Sequence, residues 1–213
     1  MAEVTQAAGP DPNLFFANEV PSAFTKALAD VNAKIQKLER LRDDMKAAEL
    51  LIRVNLTGDG GGQWDIKVAS GTASVGPKSD LPPHVAVTQT VDDWRATLTG
   101  GVTFGLAPGT AGQKPNPAQQ FTQFAQKSKV DKIKTLNGTI RFVVTDIPTR
   151  GEWKLDLTFG SAAPEPKCTV ATKDADAKEM ASGKLNPQAA FMAGKMRVQG
   201  DMGLAMQLGT LLM

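Results

Sequence analysis

The sequence has one cysteine, one histidine, no tyrosine and no long apolar run, and each scarcity excludes a class of protein. Cys168 alone cannot form an intramolecular disulfide, which favours a reducing compartment. Because no window approaches 18 apolar residues, the sequence predicts no membrane-spanning helix. The opening MAEVTQAAGPDPN has two acids, no Lys or Arg and no apolar stretch, so it matches neither a secretory signal nor a transit peptide. We therefore expect a cytoplasmic protein.

Residues that usually carry catalysis are also scarce. His84 follows two prolines before a predicted strand, where a lone histidine is typically structural or solvated. Cys168 alternates with Val170 on an apolar strand face, where burial raises the pKa of a thiol. Asp59 lies in GDGGG, a predicted hairpin turn that lacks the further oxygen ligands of a calcium site. With no Gly-x-Ser-x-Gly elbow, no P-loop and no metal-ligand spacing, we expect no catalytic site, no metal and no cofactor.

The composition is that of an ordinary globular protein. Charged residues make up 22% of the chain and the net charge is only +2, so nothing attracts the protein globally to nucleic acid or to anionic membranes. A chain of 213 residues can form one large or two small domains.

An internal repeat favours two units. The stretch IRVNLTGDGGGQWDIKVASG, from Ile52, aligns with IRFVVTDIPTRGEWKLDLTFG, from Ile140. In both copies the tryptophan, Trp64 or Trp153, precedes a glycine by seven residues. The connecting GGVTFGLAPGTAGQKPNP is rich in Gly and Pro and is typical of a linker.

Both copies alternate apolar and polar residues with period two, which predicts an antiparallel sheet with one apolar face. The register places on the covered face Trp64, Ile66, Trp153, Leu155 and Leu157, and on the solvent face Lys67, Lys154 and Asp156. Helices are needed to cover the apolar face, and we expect them at 22–50, near 92–99, 118–127 and 174–182, and at 202–213.

The predicted helix 22–50 has an apolar seam of alternating three- and four-residue steps, formed by Phe24, Leu28, Val31, Ile35 and Leu38. Met45 and Ile52 extend this seam, whereas Arg42 and Glu49 interrupt it. Two interpretations remain open. The seam packs against the protein's own sheet, or it binds a partner helix, including that of a second copy.

Residues 183–212, GKLNPQAAFMAGKMRVQGDMGLAMQLGTLL, resemble the end of the sterol carrier protein type 2 (SCP-2) lipid-binding domain. The resemblance lies in the segments 183–188 and 201–206, with Phe191 and a short strand at 194–200 between them. It covers about 115–213, with a weaker copy at about 21–107 that departs from the pattern after Gly100. The sequence is therefore divided into a tail at 1–20, a degenerate unit at 21–112 and a complete unit at 113–213.

The resemblance implies an α/β fold of the α+β type, in tandem units that each have a mainly antiparallel five-stranded sheet covered on one face by helices. It also implies an apolar tunnel for fatty acyl chains, acyl-CoA or sterols. Six of the eight methionines lie in 180–213, and flexible thioethers suit a pocket of variable shape, although a plain core is the alternative. The expected tunnel wall is Phe142, Leu155, Phe191, Met192, Met196, Met202, Leu204, Met206, Leu208 and Leu212.

A lipid head group would need polar partners near the tunnel, and we expect these to be Lys184, Gln188 and Lys195. Lys184, Lys195 and Arg197 form a local basic cluster, for which a solvated sheet face is the alternative. The leading hypothesis is non-catalytic lipid binding for transfer or presentation. The alternatives are a scaffold that binds a protein partner or a second copy through helix 22–50 and the first copy, and an enzyme of lipid or thioester metabolism.

Overall fold

The computed structural model describes residues 18–102, 124–148 and 150–212. Eight strands are formed, with these bounds: β1 Leu50–Thr57, β2 Gly62–Ala69, β3 Thr72–Pro77, β4 Val85–Thr90, β5 Gly138–Ile147, β6 Gly151–Phe159, β7 Cys168–Lys173 and β8 Met196–Gly200. The helices of the described residues are α1 Val20–Lys46, α2 Val91–Thr99, α3 Lys127–Ile133, α4 Asp174–Ala181, α5 Pro187–Met192 and α6 Met202–Leu212.

Two compact units divide the chain between Asp43 and Asp44. The described part of the first is the helical segment 18–43, and the second contains the whole sheet. The predicted boundary at 112/113 and most of the predicted helix 118–127 lie outside the described residues, as does the predicted tail up to residue 17.

The sheet corrects the expectation of two separate five-stranded sheets. All eight strands form one sheet in the order β3-β2-β1-β4-β6-β5-β7-β8. The two copies join because β4 pairs with β6 in antiparallel register, from Val85 opposite Phe159 to Thr88 opposite Asp156. Each strand of this junction gains a hydrogen-bonded neighbour, which leaves neither with a free edge.

Within each copy the pairings are the same. β1 pairs antiparallel with β2 and parallel with β4, just as β5 pairs antiparallel with β6 and parallel with β7. A helix follows the parallel strand in both copies, α2 after β4 and α4 after β7. The start of α2 is fixed by a cap, because the hydroxyl of Thr90 accepts the Asp93 N–H at 3.0 Å.

The predicted alternation of burial is clearest in β6, whereas Asp156, expected in solvent, is half-buried because it accepts two hydrogen bonds from Arg141. Trp153, Leu155 and Leu157 are buried, and Lys67 and Lys154 are exposed. In the first copy Trp64 and Ile66 are only half-buried. The helix predicted over 22–50 ends at Lys46, because Leu50 already pairs with Val68 in the sheet.

Candidate functional site

The apolar face of the C-terminal strands is organised in rows that cross the sheet. One row runs from Leu155 through Phe142 and Val170 to Val198, each residue opposite the next on the neighbouring strand. Phe142 and Leu155 are buried, and Val170 and Val198 are half-buried. The tunnel wall expected from the sequence omitted Val170 and Val198, although the alternation in CTVATK and MRVQG would have included them.

Helix α6 packs on the apolar face of these C-terminal strands. It contacts β5, β7 and β8, and its Leu204, Leu208 and Leu211 are buried in the main core. Asp201 begins the helix, since its carboxylate accepts the Leu204 N–H at 3.0 Å. Gly138 of β5 leaves room for the Leu204 side chain, since a Cβ atom there would lie 2.6 Å from Leu204 Cδ2.

The residues expected in the tunnel wall fall into two groups. Four are buried, namely Phe142, Leu155, Leu204 and Leu208. Met196 is half-buried, and four are exposed, namely Phe191, Met192, Met202 and Met206. For Leu212, the last of the set, the structure describes the backbone alone.

The exposed group, which we call the apolar rim (Phe191, Met192, Met202 and Met206), lies on α5 and α6. Both helices contact the edge strand β8. The sequence did not predict α5, whose start is nevertheless encoded: Asn186 accepts the Ala189 N–H at 2.6 Å, and Pro187 occupies the first helical turn.

Of the expected head-group residues, Lys184, just before α5, and Gln188, in the first turn of α5, are exposed. Lys195 is held by two carboxylates, at 3.0 Å from Asp176 Oδ1 and 2.7 Å from Glu179 Oε2. Hydrogen bonds with Glu179 and Asp176 raise the pKa of Lys195, so its charge is largely compensated within the protein.

A groove of about 310 Å³ lies elsewhere in the unit that contains the sheet. It is lined by Ala47, Glu49, Lys127, Val130, Asp131 and Lys134. None of these residues belongs to the expected tunnel wall, and five of the six are charged or exposed. The groove therefore has a different chemical character from the apolar rim.

The residues considered for catalysis have structural partners. His84 Nδ1 accepts the Leu51 N–H at 2.9 Å, and burial followed by the charge of Lys134 lowers its pKa. Cys168 is buried, and burial raises the pKa of its thiol, with a smaller effect of Asp201. Asp59 lies in the β1–β2 turn. Among the described residues, no group of three or more His, Cys, Asp or Glu side chains is placed to hold a metal ion.

The prediction from the sequence also missed a cluster of polar side chains that joins the two copies. Arg150, in the β5–β6 turn, forms an ion pair with Asp93 of α2 and donates to the Asp92 carbonyl at 3.0 Å. Trp153 Nε1 donates to the Asp93 carbonyl at 2.9 Å. These partners are nearly 60 residues apart in the chain, so no local pattern reveals the cluster. It fastens the C-terminal hairpin to the N-terminal helix.

None of the helices in 18–102, 124–148 and 150–212 combines the length and the hydropathy that a bilayer-spanning helix requires. A scan against protein-family models matches residues 118–213 to the "SCP-2 sterol transfer family". The C-terminal part of the chain is an SCP-2 domain. The match begins after the first copy of the repeat, so it leaves the degenerate N-terminal copy unassigned.

Curated relatives of the SCP-2 domain include sterol carrier protein 2 from Homo sapiens, which is 37% identical over 87 residues, or 37% of this chain and 16% of the relative. Hydroxysteroid dehydrogenase-like protein 2 from Xenopus tropicalis is 34% identical over 108 residues, or 47% of this chain and 26% of the relative. The chain thus spans about a sixth to a quarter of the length of these relatives.

Among solved structures, sterol carrier protein domain 2 of Helicoverpa armigera is 30% identical, with a TM-score of 0.34 over 45% of this chain and 83% of that chain. Sterol carrier protein 2 from Yarrowia lipolytica, in its apo form, is 23% identical, with a TM-score of 0.30 over 57% of this chain and 84% of that chain. At the level of the family, the assignment supports binding or transfer of lipids or sterols.

Proposed function

We propose that the C-terminal SCP-2 domain binds one lipid with a long acyl chain, non-catalytically, for transfer or presentation. The acyl chain of this lipid would lie between the row Leu155–Phe142–Val170–Val198 and the side chains of α5 and α6. The observation that carries this proposal is the division of α6 into two faces. Leu204, Leu208 and Leu211 are buried in the core, whereas Met202 and Met206 are exposed to solvent, as are Phe191 and Met192 of α5.

Burial of apolar surface at the apolar rim would favour binding of an acyl chain there. Each CH₂ group transferred from water to an apolar site contributes about 0.8 kcal/mol, and the chain would also remove the rim itself from water. Three of the four rim residues are methionine, and unbranched thioethers adapt to chains of different shape. The proposed wall keeps the full set expected from the sequence, with Val170 and Val198 added.

The head group would lie near the start of α5. Lys184 and Gln188 are exposed there and offer a charge and an amide to a carboxylate or phosphate. Lys195 would have to leave Asp176 and Glu179 first, so we place it second to Lys184. We therefore expect Lys184→Ala to lower the affinity for a lipid with an anionic head group more than Lys195→Ala does.

Non-catalytic action is part of the proposal. The sequence has one histidine and one cysteine. His84 Nδ1 accepts a hydrogen bond from the Leu51 N–H, and Cys168 is buried in the core. Relatives with enzyme names are matched over only 20% and 26% of their length, so their names concern much larger proteins. Cytoplasmic location stays a prediction.

The decisive variant is Met206→Glu. Because Met206 is 68% exposed, we expect the substitution to leave the ligand-free fold intact. A bound acyl chain would place the new carboxylate against hydrocarbon, at a cost on the order of several kcal/mol. Titration with a fluorescent fatty acid should show an affinity about a hundredfold lower or worse, since each 1.4 kcal/mol is a factor of ten.

Leu98→Glu is the matched control, because Leu98 is a 40% exposed apolar residue on α2 of the N-terminal copy. Its affinity should equal that of the parent, and circular dichroism should show both variants folded. Equal losses in both variants would indicate a site shared by the two copies. Unchanged affinity in Met206→Glu would contradict our placement, and absence of any lipid from native mass spectra and titrations would contradict lipid binding itself.

A scaffold is the second candidate function, and one observation favours it. The apolar seam of α1 is exposed along its whole length in the described chain. The seam offers a binding surface that lipid binding by the C-terminal domain does not use.

A further inference from the structure

The surface of α1 is unusual for a helix of a folded protein. Its seam residues, Phe24, Leu28, Val31, Ile35 and Leu38, are between 49% and 71% exposed. They recur in steps of four, three, four and three residues over a helix of 27 residues. A contiguous exposed apolar stripe of this kind marks a surface for association, whereas single exposed apolar residues need no explanation.

The stripe has the heptad order of a two-stranded coiled coil. In heptad notation, Leu28 and Ile35 occupy a positions, and Phe24, Val31 and Leu38 occupy d positions. Among parallel coiled coils, Ile at a with Leu at d, as in Ile35 and Leu38, favours two strands, whereas Leu28 at a with Val31 at d lacks this preference. The mostly polar face opposite the seam stays in solvent in such a pair.

Charges beside the seam identify the partner. Lys34 occupies the g position and Glu39 the following e position, five residues later. In a parallel, in-register pair of identical helices, the g residue of one helix faces the next e residue of the other. Lys34 of each copy then faces Glu39 of the other, which gives two symmetrical attractive pairs.

We propose that α1 associates with α1 of a second copy as a parallel, in-register, two-stranded coiled coil over residues 24–38. This inference does not rest on lipid binding. Arg42 falls on the next a position and ends the apolar seam, and its Nε donates to Asp43 Oδ1 at 3.0 Å, which offsets part of its charge.

The antiparallel alternative fits the charges less well. One antiparallel register pairs Phe24 with Ile35 and Leu28 with Val31, which leaves Lys34 opposite Ala27 and without an opposite charge. A second register places Leu28 opposite Leu38 and Val31 opposite Ile35 of the other helix. Residues at g then face one another, so Lys34 meets Lys34 at the centre of the seam. Repulsion between the two lysines weakens this arrangement. The same register leaves Glu39 facing Thr25, which carries no charge.

The first experiment is sedimentation of the full chain at high micromolar concentration. The proposal expects a particle of twice the chain mass of 22.6 kDa. Leu28→Lys together with Ile35→Lys should give a monomer at every concentration, with an unchanged melting temperature for the sheet-containing unit because both side chains are exposed. A monomeric parent, or a dimer that survives both substitutions, overturns the proposal.

The second experiment tests partner geometry by exchanging charges. Lys34→Glu and Glu39→Lys should each raise the dimer dissociation constant about tenfold, and the double exchange should restore it to within about threefold. In the antiparallel arrangement the double exchange replaces two facing lysines with two facing glutamates, so the repulsion persists and no such restoration follows. Helicity by circular dichroism controls for the lost attraction between Asp30 and Lys34 within one helix.

Cross-linking gives an independent readout of direction. Leu28→Cys places two thiols opposite each other only in the parallel, in-register pair, so mild oxidation should yield a disulfide dimer. The parent should not cross-link, because its Cys168 is buried. A mixture of Leu28→Cys and Leu38→Cys chains that cross-links preferentially as a heterodimer would indicate the antiparallel pair and overturn the proposal.

Discussion

The N-terminal and C-terminal copies build the same pattern of strands from overlapping parts of one sheet. Read outward from the N-terminal edge, β3-β2-β1-β4-β6 has two antiparallel pairings, one parallel pairing and a final antiparallel one. The set β4-β6-β5-β7-β8 repeats that order of pairings. Each copy therefore completes a five-strand pattern with a strand from the other, and eight strands serve where two independent units would need ten.

The copies differ in what covers the apolar face. In the C-terminal copy, α6 brings three buried leucines onto the strands, and Trp153 is 1% exposed. In the N-terminal copy the equivalent Trp64 is half-buried, and Val75 on the edge strand β3 is exposed. An alternating sequence therefore determines which face of a strand is apolar, whereas the burial of that face depends on the segments that pack on it.

The largest expected contrast is between the two tryptophans. Trp153→Ala should lower the free energy of unfolding by about 3–5 kcal/mol, because it empties a fully buried site and removes the Nε1 hydrogen bond to Asp93. Trp64→Ala, at a half-buried site, should cost about 1–2 kcal/mol. Urea unfolding measures both values.

Trp153→Phe separates the two contributions, because it keeps an aromatic ring and loses the hydrogen bond. The lost bond should lower the free energy of unfolding by about 1 kcal/mol, in addition to the effect of the smaller ring. If Trp64→Ala proved as costly as Trp153→Ala, the apolar faces of the two copies would be equally covered.

The next contrast concerns an ion pair on the opposite face of each hairpin. Asp65 accepts two bonds from Arg53, at 2.8 and 2.9 Å, and both the N–H and the hydroxyl of Ser79. Asp156 accepts two bonds from Arg141, both at 2.7 Å, but this arginine is more exposed. Asp65→Ala should cost about 2–4 kcal/mol, because it leaves Arg53 buried without its partner. Asp156→Ala should cost about 1 kcal/mol.

Acid titration tests the same contrast. The hydrogen bonds from Arg53 hold the pKa of Asp65 well below its usual range, with further bonds from Ser79. Asp65 therefore contributes stability above the ordinary carboxyl pKa, and this contribution is lost as the pH falls towards the lowered pKa of the folded state. Stability curves of the parent and Asp65→Ala should converge at acid pH. Parallel curves down to about pH 2–3 would show that the Asp65 carboxylate contributes nothing that titrates.

The sequence predicted local features well and long-range ones poorly. Helices α2 and α4 begin within a residue of the predicted 92 and 174, because the change from strand to helix periodicity is a local signal, to which Thr90 adds a cap at the start of α2. The junction of β4 with β6 was missed, since it joins residues about 70 positions apart and depends on two copies meeting edge to edge. The expectation of a wall of ten residues rested on a resemblance, and the resemblance carried no information on which methionines α6 leaves in solvent.

The smallest contrast lies where the parallel strand of each copy begins. His84 precedes β4 and donates its N–H to the Leu51 carbonyl, and its own carbonyl accepts the Gly160 N–H. Lys167 precedes β7 and makes the same pair of bonds, to the Thr139 carbonyl and from the Asp201 N–H. The backbone geometry is therefore repeated. Only His84 adds a side-chain bond, in which Nδ1 accepts the Leu51 N–H at 2.9 Å.

That bond makes the N-terminal copy sensitive to mild acid. Burial, and then the charge of Lys134, lower the pKa of His84 below its ordinary 6.5, and a proton on Nδ1 would displace the Leu51 N–H. The unfolded chain takes up the proton near pH 6.5, so the stabilisation is complete above that pH and declines as the pH falls through 6.5 towards the lowered pKa. One proton limits the slope to about 1.4 kcal/mol per pH unit, and the partial exposure of His84 reduces the expected loss between pH 7.5 and 5.5 to about 1 kcal/mol. His84→Gln should be less stable at pH 7.5 and flatter over this range in urea unfolding. An equal slope in the variant would assign the pH dependence to other groups, because the sequence has no second histidine to account for it.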